Sequence, residues 1–155
     1  MSGISLLVEE PGWRRSGVEL AGIRRAAGLA RLRGAPERTQ VGLSVLLAND
    51  ERLRMLNAQF RGNNTPTNVL AFPAARPNGE YAGDVAIALG VAEREASRAG
   101  IGIGAHAVHL TVHGVLHLLG YDHISTREAR IMERLEVAIL NELGLPCPYG
   151  RAAVE

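Results

Sequence analysis

The apolar and polar positions of this 155-residue chain change period several times, and each change marks a predicted element. Residues 4–9 form a short apolar run that ends at Pro11-Gly12, which predicts a strand. Residues 16–33 are rich in helix formers. Val18, Ile23, Ala26, Ala27 and Ala30 make an apolar stripe, Arg24, Arg25, Arg31 and Arg33 fall largely outside it, and Gly34-Ala35-Pro36 ends it. Residues 41–48 predict a second strand. Asn49 or Asp50 is then placed to cap a helix over 51–60. A polar loop with strong turn chemistry follows at 61–68, then a strand over 69–72 stopped by Pro73. A turn at 76–79, a strand at 83–89 and helices at 91–99 and 106–119 come next. Ser125-Thr126-Arg127-Glu128 reads as a capping box, opening an amphipathic helix that runs to about Leu143 and is closed by Gly144 and Pro146. The order is neither a strict βαβ alternation nor an all-helical one. It predicts a single α+β domain over residues 1–155, with a small mixed four-stranded sheet and about five helices packed on it.

The helix at 106–119 differs from the others. His106, His109, His113 and His117 fall within an arc of about 80° on the helical wheel. Val108, Leu110, Val112, Val115, Leu116, Leu118 and Leu119 cover almost all the rest. A helix apolar on nearly every side is buried, so this one carries an imidazole stripe into the interior. Unpartnered buried imidazoles are costly, and a metal ion or a water-lined cleft relieves that cost. His113 and His117 stand one turn apart, as two-point chelation of one ion requires. Gly120 can end the helix in a left-handed cap, so that the chain turns through Tyr121-Asp122 and offers His123 to the same ion. Three neutral imidazoles with an open fourth position match a catalytic zinc site. His106 and His109 read as supporting, solvated or packing residues. Asp122 reads either as a residue that orients a ligand imidazole or as an ordinary turn aspartate. The zinc-protease pattern His-Glu-x-x-His would place a general-base glutamate after the first ligand, and Gly114 stands there instead.

Composition narrows the picture. The 17 basic residues, every one an arginine, nearly cancel the 16 acidic ones, leaving a formal charge of +1. Binding of nucleic acid or membrane by charge density alone is therefore excluded, as is lysine chemistry. The charge is uneven: residues 1–48 carry a net +3, an arginine surplus suited to an RNA backbone or to a solvated helix face. Aromatic residues make up 4%, too few for a multi-ring base-stacking platform. The one cysteine, Cys147, cannot form an internal disulfide and reads as a bystander. With no basic leader and no apolar run of membrane-spanning length, the expected location is the cytoplasm.

The segment His113-Gly114-Val115-Leu116-His117-Leu118-Leu119-Gly120-Tyr121-Asp122-His123 resembles the H-G-x-L-H-L-x-G-Y-D-H signature of the bacterial YbeY family, endoribonucleases and rRNA maturation factors. Leu56-Asn57 through Phe60-Arg61-Gly62, the stretch Thr65–Pro73 and Gly83-Asp84-Val85 resemble further blocks of that family, and the similarity spans about residues 44–145. Ala71 stands where the family usually has serine, Phe60 where it has tyrosine, and Asn63-Asn64 where the pair is more charged. The resemblance implies an α+β metallohydrolase that binds one Zn2+ through His113, His117 and His123, with Arg61 in the active cleft. It further implies cleavage of single-stranded RNA in 16S rRNA 3′-end maturation and ribosome quality control. The implied partners are the 16S rRNA precursor, the small ribosomal subunit and its assembly factors, without membrane or DNA. Two rival readings share the histidines. One is a zinc hydrolase of peptides or amides, which Gly114 disfavours; the other is a non-catalytic assembly factor with a structural zinc.

Overall fold

The computed structural model describes residues 3–76 and 79–146; Cys147, and Pro77 and Asn78 of the expected turn, lie outside the described residues. The elements run β1 (Ile4–Val8), α1 (Gly12–Arg15), α2 (Leu20–Gly34), β2 (Gly42–Ala48), α3 (Asp50–Arg61), β3 (Val69–Pro73), β4 (Tyr81–Ala88), α4 (Leu89–Ala99), α5 (Ile103–Leu118) and α6 (Thr126–Glu142), with a short 3-10 turn at Pro36–Arg38. The four strands form one mixed sheet in the order β1-β2-β4-β3. β1, β2 and β4 are mutually parallel, with Leu6 opposite Val45 and Val45 opposite Val85, while β3 runs antiparallel along the outer side of β4. This is the α+β architecture expected.

Strand alternation sorts the central residues between two faces. Leu43, Val45 and Leu47 of β2 and Val85 and Ile87 of β4 join the main core, built with α2, α5 and α6. Ala48, Ala86 and Ala88 point into a smaller cluster with Leu53 of α3 and Leu70 of β3. α2 and α5 therefore pack one sheet face, with α6 against those two helices, and α3 packs the other.

The differences from the expected elements have local causes. The turn at Pro11-Gly12 continues into a short helix, α1, because Trp13 is fully buried and its indole N–H donates to the Ala48 carbonyl at 2.8 Å. The second helix begins at Leu20 rather than residue 16: the Ser16 hydroxyl accepts from Val18 N–H, and Gly17 takes φ +91°. Asn49 is the cap of α3, accepting from Arg52 N–H at 2.8 Å; Asp50 instead accepts from Val91 N–H at the start of α4. Pro73 is the last residue of β3 rather than its stop, tolerated because β3 is an edge strand. β4 starts two residues early at Tyr81, with a register irregularity between Gly42 and Leu43. α5 starts at Ile103, so the whole imidazole stripe lies within it. Ser125 does cap α6, accepting from Glu128 N–H.

Gly83 sits beside that irregularity at φ +136°. A Cβ there would overlap the Phe72 carbonyl oxygen and come within 2.8 Å of Leu118 at the end of α5. Left-handed strain and overpacking add, so Gly83→Ala destabilises the protein by about 3 kcal/mol. Urea unfolding monitored through Trp13 measures this.

Candidate metal centre

α5 lies across β3 and β4 because Gly114 lets it approach. A Cβ at Gly114 would stand 2.6 Å from Val85 and 3.1 Å from Val69. The position that a zinc protease gives to its glutamate is thus pressed against the sheet and has no room for a carboxylate. The close approach leaves the imidazole stripe beside edge strand β3, where it is half-buried rather than sealed.

At the C-terminal end of α5 the chain reverses. Gly120 takes φ +105°, Tyr121 N–H donates to the Leu116 carbonyl, and the Tyr121 hydroxyl donates to the Gly34 carbonyl at 2.8 Å. This fixes the turn from both sides. Asp122 then accepts from the His123 backbone N–H at 2.7 Å, so its carboxylate shapes the turn rather than holding an imidazole. His123 is thereby brought against the helix, its ring 5.3 Å from that of His113 and 5.0 Å from that of His117.

His113, His117 and His123 each offer a ring nitrogen to one small volume, all within 4.8 Å of one another, so together they could hold a metal ion. The Nε2 atoms of His113 and His117 are 3.1 Å apart. Two nitrogens bound tetrahedrally to one zinc stand about 3.3 Å apart, so the pair is nearly at chelating distance. Burial holds the His117 imidazole below its usual pKa. The fields of His113 and His123 act the same way, against the opposing pull of Asp122 and a backbone hydrogen bond at Tyr121. A neutral imidazole is the form a metal needs. The donor set fits a divalent ion.

The sequence reading did not find Glu136. This α6 carboxylate is fully buried, accepting from His113 Nδ1–H at 2.6 Å and from His109 Nε2–H at 3.0 Å. Holding the proton of His113 on Nδ1 leaves Nε2 as a lone pair turned toward His117. His109 is thus a supporting residue, sharing its carboxylate with His113. His106 Nε2–H donates to Glu95 at 2.9 Å, and the Asn68 amide donates to the same carboxylate. A signal for Glu136 existed in the sequence: it lies on the buried stripe of α6 with Met132, Ile139 and Leu140, where a carboxylate requires a partner.

His113 and His117 open into a cleft of about 540 Å³, which Arg61, Asn63, Asn68 and Ala71 also line. Arg61 is the exposed last residue of α3, at the base of the 61–68 loop. Gly62 turns that loop at φ +69°, and the buried Asn57 pins it by donating to the Thr65 carbonyl. Ala71 brings no hydroxyl to the cleft wall. Phe60, in place of the usual tyrosine, packs its ring 5.1 Å from Phe72.

The class these features define is an α+β protein with an open cleft and a three-histidine group that could hold a metal ion. Comparison with known proteins gives the family. The family model "Endoribonuclease YbeY" matches residues 26–144. A protein of Maricaulis maris named endoribonuclease YbeY is 41% identical over 152 residues, covering 96% of this chain and 92% of that one. Another so named, from Rhodopseudomonas palustris, is 41% identical over 151 residues, covering 94% and 80%. A solution structure from Thermotoga maritima, TM1509, shares the fold with a TM-score of 0.59 at 23% identity, over 96% of this chain and 99% of that one. The chain belongs to the YbeY endoribonuclease family.

Two outcomes follow from the geometry. Glu136→Gln keeps the volume but presents an N–H2 to one imidazole, and weakens zinc binding about 10–100-fold, as read by competition with a chromogenic chelator. Because the folded His117 takes up a proton less readily than the unfolded one, the unfolded state gains protons first as pH falls. His117 therefore withdraws stability from the metal-free protein as pH drops below about 6.5, and His117→Gln removes that contribution to the slope in thermal melts at stepped pH.

Proposed function

We propose that this chain is a zinc-dependent endoribonuclease specific for single-stranded RNA, acting in the cytoplasm in 16S rRNA 3′-end maturation and ribosome quality control. On this reading its partners are the 16S rRNA precursor, the small ribosomal subunit and its assembly factors. One observation carries it: the three signature imidazoles come together beside a cleft lined by His113, His117 and Arg61, an arginine with no ion pair among the described residues. His113, His117 and His123 are the proposed ligands.

A zinc ion held there would supply Lewis-acid activation of water and of a phosphoryl oxygen. The residues of the chain do the rest. Glu136 keeps His113 in the ligating tautomer, and the Gly120–His123 turn brings the third imidazole to the other two. Arg61 binds the scissile phosphate and stabilises the charge that builds on it in the transition state. Asn57 keeps the loop beside Arg61 in place. The net charge of +1 gives little non-specific attraction, so selectivity falls to the cleft and to docking on the ribosomal subunit. The packing of Gly114 on Val85 argues against a peptidase of the His-Glu-x-x-His kind, which needs a carboxylate base at that place.

His117→Ala removes bound zinc and RNA cleavage together, measured by metal analysis and a labelled single-stranded RNA on the same sample. Arg61→Ala retains the metal and lowers kcat by about 10²–10³-fold. Undiminished cleavage by metal-free protein rejects the zinc reading. Loss of metal in Arg61→Ala would make that residue structural.

A further inference from the structure

Beside the metal cleft lies a second one of about 530 Å³, within the range of small-ligand sites. The two meet at Asn68, Val69 and His113, which line both. The second cleft extends along α5 toward His106, seven residues before His113 and so about 10 Å further along the helix axis. That is too far for a group held at His113 and His117 to fill, and suited to its neighbour on the same strand.

Its lining is mixed. Val69 and Leu110 give apolar surface, and His106 and His109 present partly exposed imidazoles. Arg98 stands at the edge, exposed, in the last turn of α4. Among the described residues Arg98 makes no ion pair. The reason is local: Glu95, the carboxylate three residues before it on α4, accepts from His106 and Asn68 instead. The guanidinium is left available at the mouth of a cleft continuous with the proposed catalytic one.

We propose that this cleft is a second nucleotide subsite, holding a nucleotide that flanks the scissile bond, with its phosphate on Arg98. The base would lie against the imidazoles and the apolar surface. Both tolerate any base, because every base has a stacking face. An arginine fork suits a phosphodiester, and single-stranded RNA can splay a nucleotide into such a recess as a duplex cannot. The inference rests on the endoribonuclease reading and adds to it a second point of contact that fixes the register of the strand.

The test uses the zinc-loaded full chain and a single-stranded 10-mer RNA, cleavable for kinetics and 2′-O-methylated for binding by fluorescence anisotropy. Arg98→Glu removes the phosphate contact, and Ala99→Trp blocks the cleft wall by bulk. Each weakens 10-mer binding about tenfold, the loss of one charge-assisted contact. Arg98→Glu also shallows the slope of log K against log salt by about 0.7, one single-strand phosphate. In the wild type, kcat/KM rises when a dinucleotide substrate is extended on one side, and Arg98→Glu abolishes that rise. If wild-type protein cleaves the RNA while both variants match it in affinity and salt slope, the second subsite is rejected and the endoribonuclease reading stands. If wild-type protein neither binds nor cleaves the RNA, that reading falls and the subsite with it.

Discussion

Helix α5 has to bury nearly its whole circumference and still keep one stripe of imidazoles in contact with water. The approach at Gly114 reconciles the two demands. With no side chain at that position the helix presses onto Val85 and Val69, so Leu116 and Val115 reach the main core while His113 and His117 face outward past edge strand β3. A bulkier residue would lift the helix, part the core and move both imidazoles. The site is thus a consequence of how closely one helix packs on one sheet.

The second demand is electrostatic. Several imidazoles on a half-buried face would repel one another if charged and would be left unsatisfied if neutral and unpartnered. Glu136 and Glu95 divide that burden, the first serving His109 and His113, the second serving His106. Among the described residues no carboxylate hydrogen-bonds His117, and burial together with the fields of His113 and His123 favours its neutral form. The row therefore divides: His106 and His109 are engaged by carboxylates through Nε2, while His113, supported at Nδ1, and His117 turn their Nε2 atoms toward each other. The division is made by which acidic side chains α4 and α6 bring alongside.

Low net charge and an RNA substrate are compatible once the arginines are placed. Most of the ion-paired arginines sit away from the clefts: Arg33 with Glu142, Arg52 with Glu9, Arg94 with Asp50. Arg61 and Arg98, each beside a cleft, have no such partner among the described residues. On the proposed reading these two guanidinium groups add phosphate contacts at the clefts themselves, which favours register over raw affinity.

The sequence by itself determined the α+β class, the order of the four strands and of every helix but α1, and the one-turn spacing of His113 and His117, because these follow from local periodicity and from the geometry of a single helix. It also carried Gly120 as the residue that turns the chain toward His123, since a positive φ is a local requirement. Tertiary structure alone decided the rest. Trp13 makes a helix of an apparent turn because its buried indole finds the Ala48 carbonyl, 35 residues away. Glu136 reaches His113 across 23 residues, and Arg61 and His117 share a cleft although a strand pair and a helix separate them in the chain. Hydrogen bonds and packing across such separations leave no periodic trace in the residues that make them, and only the folded arrangement of α3, α5 and α6 about the sheet reveals which side chains meet.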